Sequence, residues 1–214
     1  MTESKAEKTE KRLLAYAKAE FMEMGYAGAN MRTIAQKAGM TTGAIYRYFH
    51  DKNALFAALV GPTADEIMQH FEKLARFQLK MLEQNNKIEE LAESSDGLLQ
   101  VVDFIFSRFE VFDLLINRSA GSAWENYMDS LIEHDLASTQ AYLEKMVQMN
   151  LLAQTPLPRH LAILVKQSYK QVLEIVASQM SREEALEYMQ LLIPFLYAGW
   201  STILRKNTSE EEAT

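Results

Sequence analysis

Apolar residues recur along almost the whole chain at helical rather than strand spacing. Leu14, Ala17, Phe21 and Met24 form the first stripe and predict an amphipathic helix from about Lys5 to Met24. Two shorter signals follow. Asn30 is suited to cap a helix whose Ile34, Ala35 and Ala38 face inward, and Gly39 supplies a left-handed residue to end it. Thr41 is suited to cap a second helix, in which Ile45 and Phe49 point inward and Thr42, Gly43, Tyr46 and Arg47 face outward. Asp51 then caps a helix that starts at Lys52 and runs through Leu55, Ile67, Phe71, Leu74 and Leu82. Gly61-Pro62 predicts a kink or restart there, because proline lacks a backbone donor and its ring meets the carbonyl four residues back.

The rest of the chain continues the pattern. Leu98 to Ile116 is apolar on most sides, with one polar stripe of Gln100, Asp103, Ser107 and Glu110. A helix from about Ser122 to Met149 carries Trp124, Tyr127, Met128 and Leu131 on one face. Beyond Pro156 and Pro158 come helices over about Arg159 to Ala177 and Arg182 to Arg205, the last opened by a capping box of Ser181 and Glu184. No segment reads as a strand, and TSEEEAT at the end predicts disorder. The predicted fold class is therefore all-α. The pattern divides into an N-terminal three-helix domain with a helix-turn-helix over 1–60, a larger helical domain over 61–207 and a disordered tail over 208–214.

Charge supports this division. Residues 1–60 hold 9 Lys or Arg against 6 Asp or Glu, whereas residues 61–214 hold 13 against 23, for a net charge of −7. Attraction to a polyanion must then come from a local patch on the first domain. There is no cysteine, which excludes disulfides, thiolate zinc sites and thiol nucleophiles. The polar start, MTESKAEKTEKR, has no signal-like apolar core, and no window approaches about eighteen uncharged apolar residues. These features predict a cytoplasmic protein, nucleoid-associated when bound to DNA, with no membrane partner. His50, His70, His134 and His160 are scattered, and no phosphate-binding glycine loop, nucleophile elbow or His-Glu-x-x-His occurs. An enzyme, a cofactor and a metal site are not expected.

Two short helices about a glycine turn make a reader of the DNA major groove. Thr42 offers a hydroxyl and a methyl to base edges, and Tyr46 a phenol to a phosphate or base. Lys52 can reach a backbone phosphate, and Arg32 a phosphate or a guanine edge. Gly43 gives up about 1 kcal/mol of helix propensity against Ala, and its natural use is close approach to a groove wall.

The first 60 residues resemble the DNA-binding domain of the TetR family of bacterial transcriptional regulators. The resemblance is carried in order by Phe21, Gly25, Tyr26, Ile34, Ala35, Ala38, Gly39, Gly43, Ile45, Tyr46, Tyr48, Phe49, Lys52 and Leu55. It implies base or phosphate contact by Arg32, Thr42, Gly43, Ala44, Tyr46, Tyr48 and Lys52. Thr41 and Arg47 complete the candidate face. Met31 departs from the pattern, standing where the family often has Thr or Ser on a phosphate, with Thr33 as the candidate substitute.

Met189 to Leu204 holds almost no charge over more than four turns, which predicts burial against a second copy of the chain, with an intramolecular core helix as the competing reading. The family pairs its final two helices with their symmetry mates, so the resemblance implies a homodimer. The candidate seam is Tyr169, Leu192, Phe195, Leu196, Gly199, Trp200 and Ile203. Candidate liners of a pocket for an unidentified small-molecule effector are Phe104, Phe109, Phe112, Trp124, Tyr127, Met128, Tyr169 and Val172, with core packing as the competing role for each. Arg108 and Arg118 are candidates for an acid, Asp113 and Glu125 for a cation. The expected function is a sequence-specific, dimeric repressor of a near-palindromic operator in double-stranded DNA, released by a hydrophobic or amphipathic ligand through a pivot at Gly61-Pro62. The alternative is a constitutive DNA-organising or occlusion factor of the same fold with no inducer.

Overall fold

The structure is a computed structural model, and residues 4–85 and 95–204 are described. The tail 208–214 lies outside the described residues. Among those residues the fold is all-α, with helices α1 (Lys5–Gly28), α2 (Met31–Lys37), α3 (Thr42–Ile45), α4 (Lys52–Asn85), α5 (Ser95–Ser107), α6 (Phe109–Asn117), α7 (Tyr127–Gln148), α8 (Pro158–Ala177) and α9 (Arg182–Ile203). None is long and apolar enough to cross a membrane.

The chain divides into two compact units, one holding residues up to Ile67 with Arg108–Met128, the other Met68–Ser107 with the residues from Asp129 onward. The first unit includes α6 and the turns after it, because α6 packs onto α1 and shares its core. That core is built on Leu13, Ala17, Phe21, Ile34, Ala35, Ile45, Leu55, Phe56, Val60, Leu114 and Leu115. Its aromatic part is compact: the Phe21 ring lies 5.9 Å from Tyr26 and 5.0 Å from Phe56, which is 5.3 Å from Tyr26.

The inward stripe of α1 is Leu13, Ala17, Glu20 and Phe21, with Leu14 only partly buried. Met24 is 53% exposed, because the chain leaves helical geometry at Gly25 (φ 66°) and the next core position passes to Tyr26. Glu20 is buried although charged, and its carboxylate accepts a hydrogen bond from Lys37 Nζ at 2.8 Å.

Three local expectations change. The helix expected to kink or restart at Gly61-Pro62 does not restart there and continues as α4 to Asn85. Pro62 is exposed, so the carbonyl it deprives of a donor can turn toward water. The single apolar segment Leu98–Ile116 is two helices, broken at Arg108 (φ −137°, ψ 25°), whose guanidinium pairs with Glu66. The helix expected from Ser122 begins at Tyr127. Residues before it turn through Gly121 (φ 82°), whose N–H is held by Glu125 Oε2 at 3.0 Å, and Ser122 Oγ accepts the Trp124 N–H at 3.0 Å.

In the second unit, Leu82, Ile132, Leu143, Met146, Leu152, Leu161 and Val165 form one core cluster, with Tyr169, Trp200 and Leu204 packed on it. α9 lies against α5 and α8, and Arg182 pairs with Asp103 at 2.7 Å. The predicted capping box is formed: Ser181 Oγ accepts the Glu184 N–H at 3.3 Å, and Glu184 Oε2 accepts the Ser181 N–H at 2.7 Å. The bond from the Ser181 N–H to its ionised form, with the Ser181 side chain beside it, holds the Glu184 carboxyl below its ordinary pKa. α9 runs through Pro194 without a break.

Candidate nucleic-acid interface

The helix-turn-helix is set by short-range chemistry. Asn30 Oδ1 accepts the Arg32 N–H at 2.8 Å and starts α2. At its end Gly39 takes φ 69°, which lets the Met40 N–H return to the Ala35 carbonyl at 2.8 Å. Thr41 Oγ1 then accepts the Ala44 N–H at 3.2 Å and opens α3, which continues as single turns to Phe49. Ile34, Ala35, Ala38, Ile45 and Phe49 are buried.

The same geometry turns the candidate reading residues outward. Thr41, Thr42, Gly43, Tyr46, Arg47 and Tyr48 are exposed together along α3 and its C-terminal turn, with Ala44 half-buried. Arg32 is exposed on α2 and Thr33 is half-buried. Met31 is 7% exposed and joins the core, so the departure from the family pattern at this position serves packing. Gly43 has an ordinary helical backbone, and a Cβ built on it meets nothing within 4 Å. The chain's own packing therefore does not require glycine there.

Lys52 is placed differently from the expectation of a phosphate contact. Its ammonium donates to the carbonyls of Tyr26 at 2.6 Å, Ala27 at 3.3 Å and Ala29 at 3.0 Å, and lies 4.4 Å from the Tyr26 ring centroid. The cause lies more than twenty residues earlier in the chain: α1 ends in carbonyls without helical partners, and the ammonium fills that demand. Sequence reasoning also missed the Glu20–Lys37 pair, which ties α1 to the end of α2 and raises the Lys37 pKa through the Glu20 hydrogen bond. A charge on an inward stripe was the only signal of it.

The candidate pocket residues fall into two groups. Phe109, Phe112, Trp124, Tyr127 and Met128 belong to the first unit, and Phe104, Tyr169 and Val172 to the second. Phe112 is 3% exposed; Trp124 and Tyr127 pack on the first core, with the Trp124 ring edge 4.0 Å from where a Cβ on Gly61 would stand. Tyr127 Oη donates to the Ala64 carbonyl at 2.7 Å, and burial, followed by the charge of Asp65, pushes its pKa up to about 12. In the second unit Phe104 stacks on His70 at 5.8 Å, and Val172 is half-buried. Tyr169 lies 5.5 Å from Phe71 and donates to Asp135 Oδ2 at 2.7 Å. Burial raises the pKa of both partners of that last bond. A cleft of about 280 Å³ between Leu152–Pro156 and Thr202–Ile203 contains none of the candidate pocket residues. The charges considered for ligands are used internally: Arg108 on Glu66, Arg118 on Asp113 at 3.4 Å, and Glu125 on the Gly121 N–H.

The candidate seam is sorted by the register of α9. Leu192 is 5% exposed and turns into the chain's own core, so it leaves the seam. Leu196 and Trp200 are half-buried, and Trp200 Nε1 donates to Ser168 Oγ at 3.3 Å. Tyr169 packs on the core cluster. Phe195 and Ile203 remain exposed, as does Gly199, and they are joined by Leu191, the most exposed large apolar residue of α9 at 75%. Leu191 sits one helical turn before Phe195, which was the signal available for it.

The sequence pattern of bacterial regulatory proteins of the tetR family matches residues 13–59, which cover α2, α3 and parts of α1 and α4. An HTH-type transcriptional repressor of Mycobacterium tuberculosis is 45% identical over 49 residues, 23% of this chain and 26% of that protein. The HTH-type regulator YfiR of Bacillus subtilis is 25% identical over 103 residues, 48% of this chain and 49% of its own length. The chain thus spans about half or less of the length of these curated relatives. Among solved structures, the fatty acid degradation regulator FadR of Bacillus halodurans superposes with a TM-score of 0.58 at 13% identity, covering 93% of this chain and 98% of that one. FadR of Bacillus subtilis, solved in complex with stearoyl-CoA, gives 0.56 at 15% identity, covering 88% and 98%. Residues 13–59 thus carry the pattern of the tetR family of bacterial regulatory proteins, and the chain as a whole is similar in fold to solved regulators of that family.

Proposed function

We propose that the protein is a dimeric, sequence-specific DNA-binding repressor of transcription that leaves a near-palindromic operator when a small hydrophobic or amphipathic effector binds. The observation that carries the reading is the face of α3: Thr42, Gly43, Tyr46, Arg47 and Tyr48 stand exposed on a segment whose opposite side is locked into the core by Ile45 and Phe49. A short helix so anchored presents hydroxyl, phenol and guanidinium groups and a bare backbone to a groove. Arg32 and Arg47 supply local positive charge on an acidic protein.

Two copies would meet through the outward stripe of α9, Leu191, Phe195, Gly199 and Ile203. Two readers then face successive major grooves about 34–36 Å apart, so a small rotation of one against the other breaks the fit. The stearoyl-CoA held by the Bacillus subtilis FadR neighbour supports a long apolar effector as the first class to try. The reading is tested by selecting duplexes from a random library with the full chain and sedimenting the complex. A near-palindrome bound by two copies, and released by a long-chain acyl-CoA, is the expected result. No enriched sequence overturns DNA reading, one copy per duplex overturns the dimer, and an acyl-CoA without effect removes that effector class.

A further inference from the structure

Lys52 is an unusual choice for the residue that opens α4. A cation there faces the positive end of the helix dipole, which the capping Asp51 carboxylate offsets by accepting the Ala54 N–H at 2.7 Å. The last turn of α1 holds no basic residue for its own unpartnered carbonyls. Lys52 meets that deficit. The Lys52 ammonium lies within 3.3 Å of the carbonyl oxygens of Tyr26, Ala27 and Ala29, so its three N–H donors have three acceptors, and the Tyr26 ring lies beside it at 4.4 Å.

What these bonds join is specific. Ala29 and Lys52 bracket the whole of α2 and α3, so the contact brings the two ends of the helix-turn-helix together in space. A second strap runs between the same ends within the first unit. The Arg118 carbonyl accepts the Tyr26 N–H at 2.7 Å, and Asn53 Oδ1 accepts the Ala123 N–H at 3.0 Å.

We propose that Lys52 is a positioning residue that clasps the base of the helix-turn-helix and sets the orientation of α3, rather than a contact to a DNA phosphate. The proposal rests on the DNA-reading function above and assigns this residue a different part in it. A phosphate oxygen is available to the ammonium only at the loss of a carbonyl. Removing the clasp leaves the reading side chains in place but frees the orientation of the segment that carries them. Sequence-specific affinity then falls, while the electrostatic, sequence-independent part stays.

The test uses the full chain, a duplex selected from a random library by the wild type, and a scrambled duplex of equal length. Lys52→Met keeps the length of the side chain and removes the donors. The expected result is an affinity for the selected duplex about tenfold lower, an affinity for the scrambled duplex changed by less than about twofold, and an unaltered slope of log affinity against log salt. Arg47→Ala, an exposed residue, should instead weaken both duplexes and reduce the slope by about 0.9. A slope reduced by about 0.9 in Lys52→Met, with both duplexes weakened alike, overturns the clasp and restores the phosphate contact. A wild type that binds both duplexes equally removes the DNA-reading function itself, and that arm does not involve the variant.

A measurement on the wild type covers the case in which Lys52→Met fails to fold. The side-chain ammonium of Lys52 is followed by nitrogen-15 NMR, assigned from its loss in Lys52→Arg. It should exchange hydrogens slowly in the free protein and keep its shift when the selected duplex is added. Fast exchange in the free protein, or a shift on adding duplex, overturns the proposal.

Discussion

Replacing Gly43 by Ala separates stability from DNA binding at one atom. The position is exposed in the first turn of α3, its backbone is helical, and the new Cβ would meet nothing within 4 Å. No clash opposes the gain from a stiffer unfolded chain and better helix propensity, about 0.4–1 kcal/mol. α3 is only four residues long, so the lower half of that range applies. A chain of 214 residues gains about 2–4 °C of melting temperature per kcal/mol, which places the shift at about 1–3 °C upward. If the groove wall comes against the bare Cα, the methyl group overpacks that contact at about 1–3 kcal/mol, a loss of about 5- to 150-fold in affinity. Thermal melting by circular dichroism and titration of a selected duplex read the two effects. A more stable variant that binds DNA as well as the wild type would show that α3 does not approach the duplex at this residue. A less stable variant would show that the space around Gly43 is not open.

The register of α9 predicts opposite outcomes at adjacent residues: Leu191→Glu should yield a folded monomer by sedimentation, whereas Leu192→Ala should cost about 2–4 kcal/mol of stability from a buried site. A Leu191→Glu variant that stays dimeric would move the seam elsewhere. Burial raises the Asp135 pKa above its ordinary value, so its contribution to stability is full below the unfolded pKa and is lost as pH rises through the folded one. Asp135→Asn, which keeps an acceptor for Tyr169, should accordingly raise the melting temperature at pH 7 and leave it nearly unchanged at the lowest pH; no gain at pH 7 contradicts this. Tyr127 has a folded pKa of about 12 against an ordinary 10, so the wild type should lose stability as pH rises through that window. Tyr127→Phe should flatten the loss in alkaline melts, after a roughly 1 kcal/mol cost at neutral pH for the bond to the Ala64 carbonyl. An equally steep loss assigns the alkaline transition to other groups.

What the sequence made legible is what short-range chemistry decides. The caps at Asn30, Thr41 and Ser181 and the left-handed Gly39 each depend on a few neighbouring residues, and all are formed. So is the division between buried Ile34, Ala35, Ile45 and Phe49 and exposed Thr42, Tyr46 and Arg47. What it concealed is decided by partners far along the chain. Lys52 meets carbonyls more than twenty residues earlier, Arg108 leaves the helix to pair with Glu66, and α6 joins the unit of α1. None of these leaves a periodic trace. Leu192 and Leu191 show a subtler limit: in a stretch apolar on every side, periodicity does not say which neighbour faces inward, and packing against α5 and α8 settles it.

The central claim is that the exposed face of α3 reads base sequence, and the ratio of two affinities tests it most directly. The full chain is titrated, at matched salt, into the selected duplex and into one of equal length with both half-sites scrambled, and the titrations are repeated with Thr42→Ala and Tyr46→Ala. The account predicts that the wild type prefers the selected duplex by at least about a thousandfold, and that either substitution shrinks this ratio by about 1–3 kcal/mol per lost base contact. Equal affinity for the two duplexes, or a ratio that neither substitution changes, would contradict it.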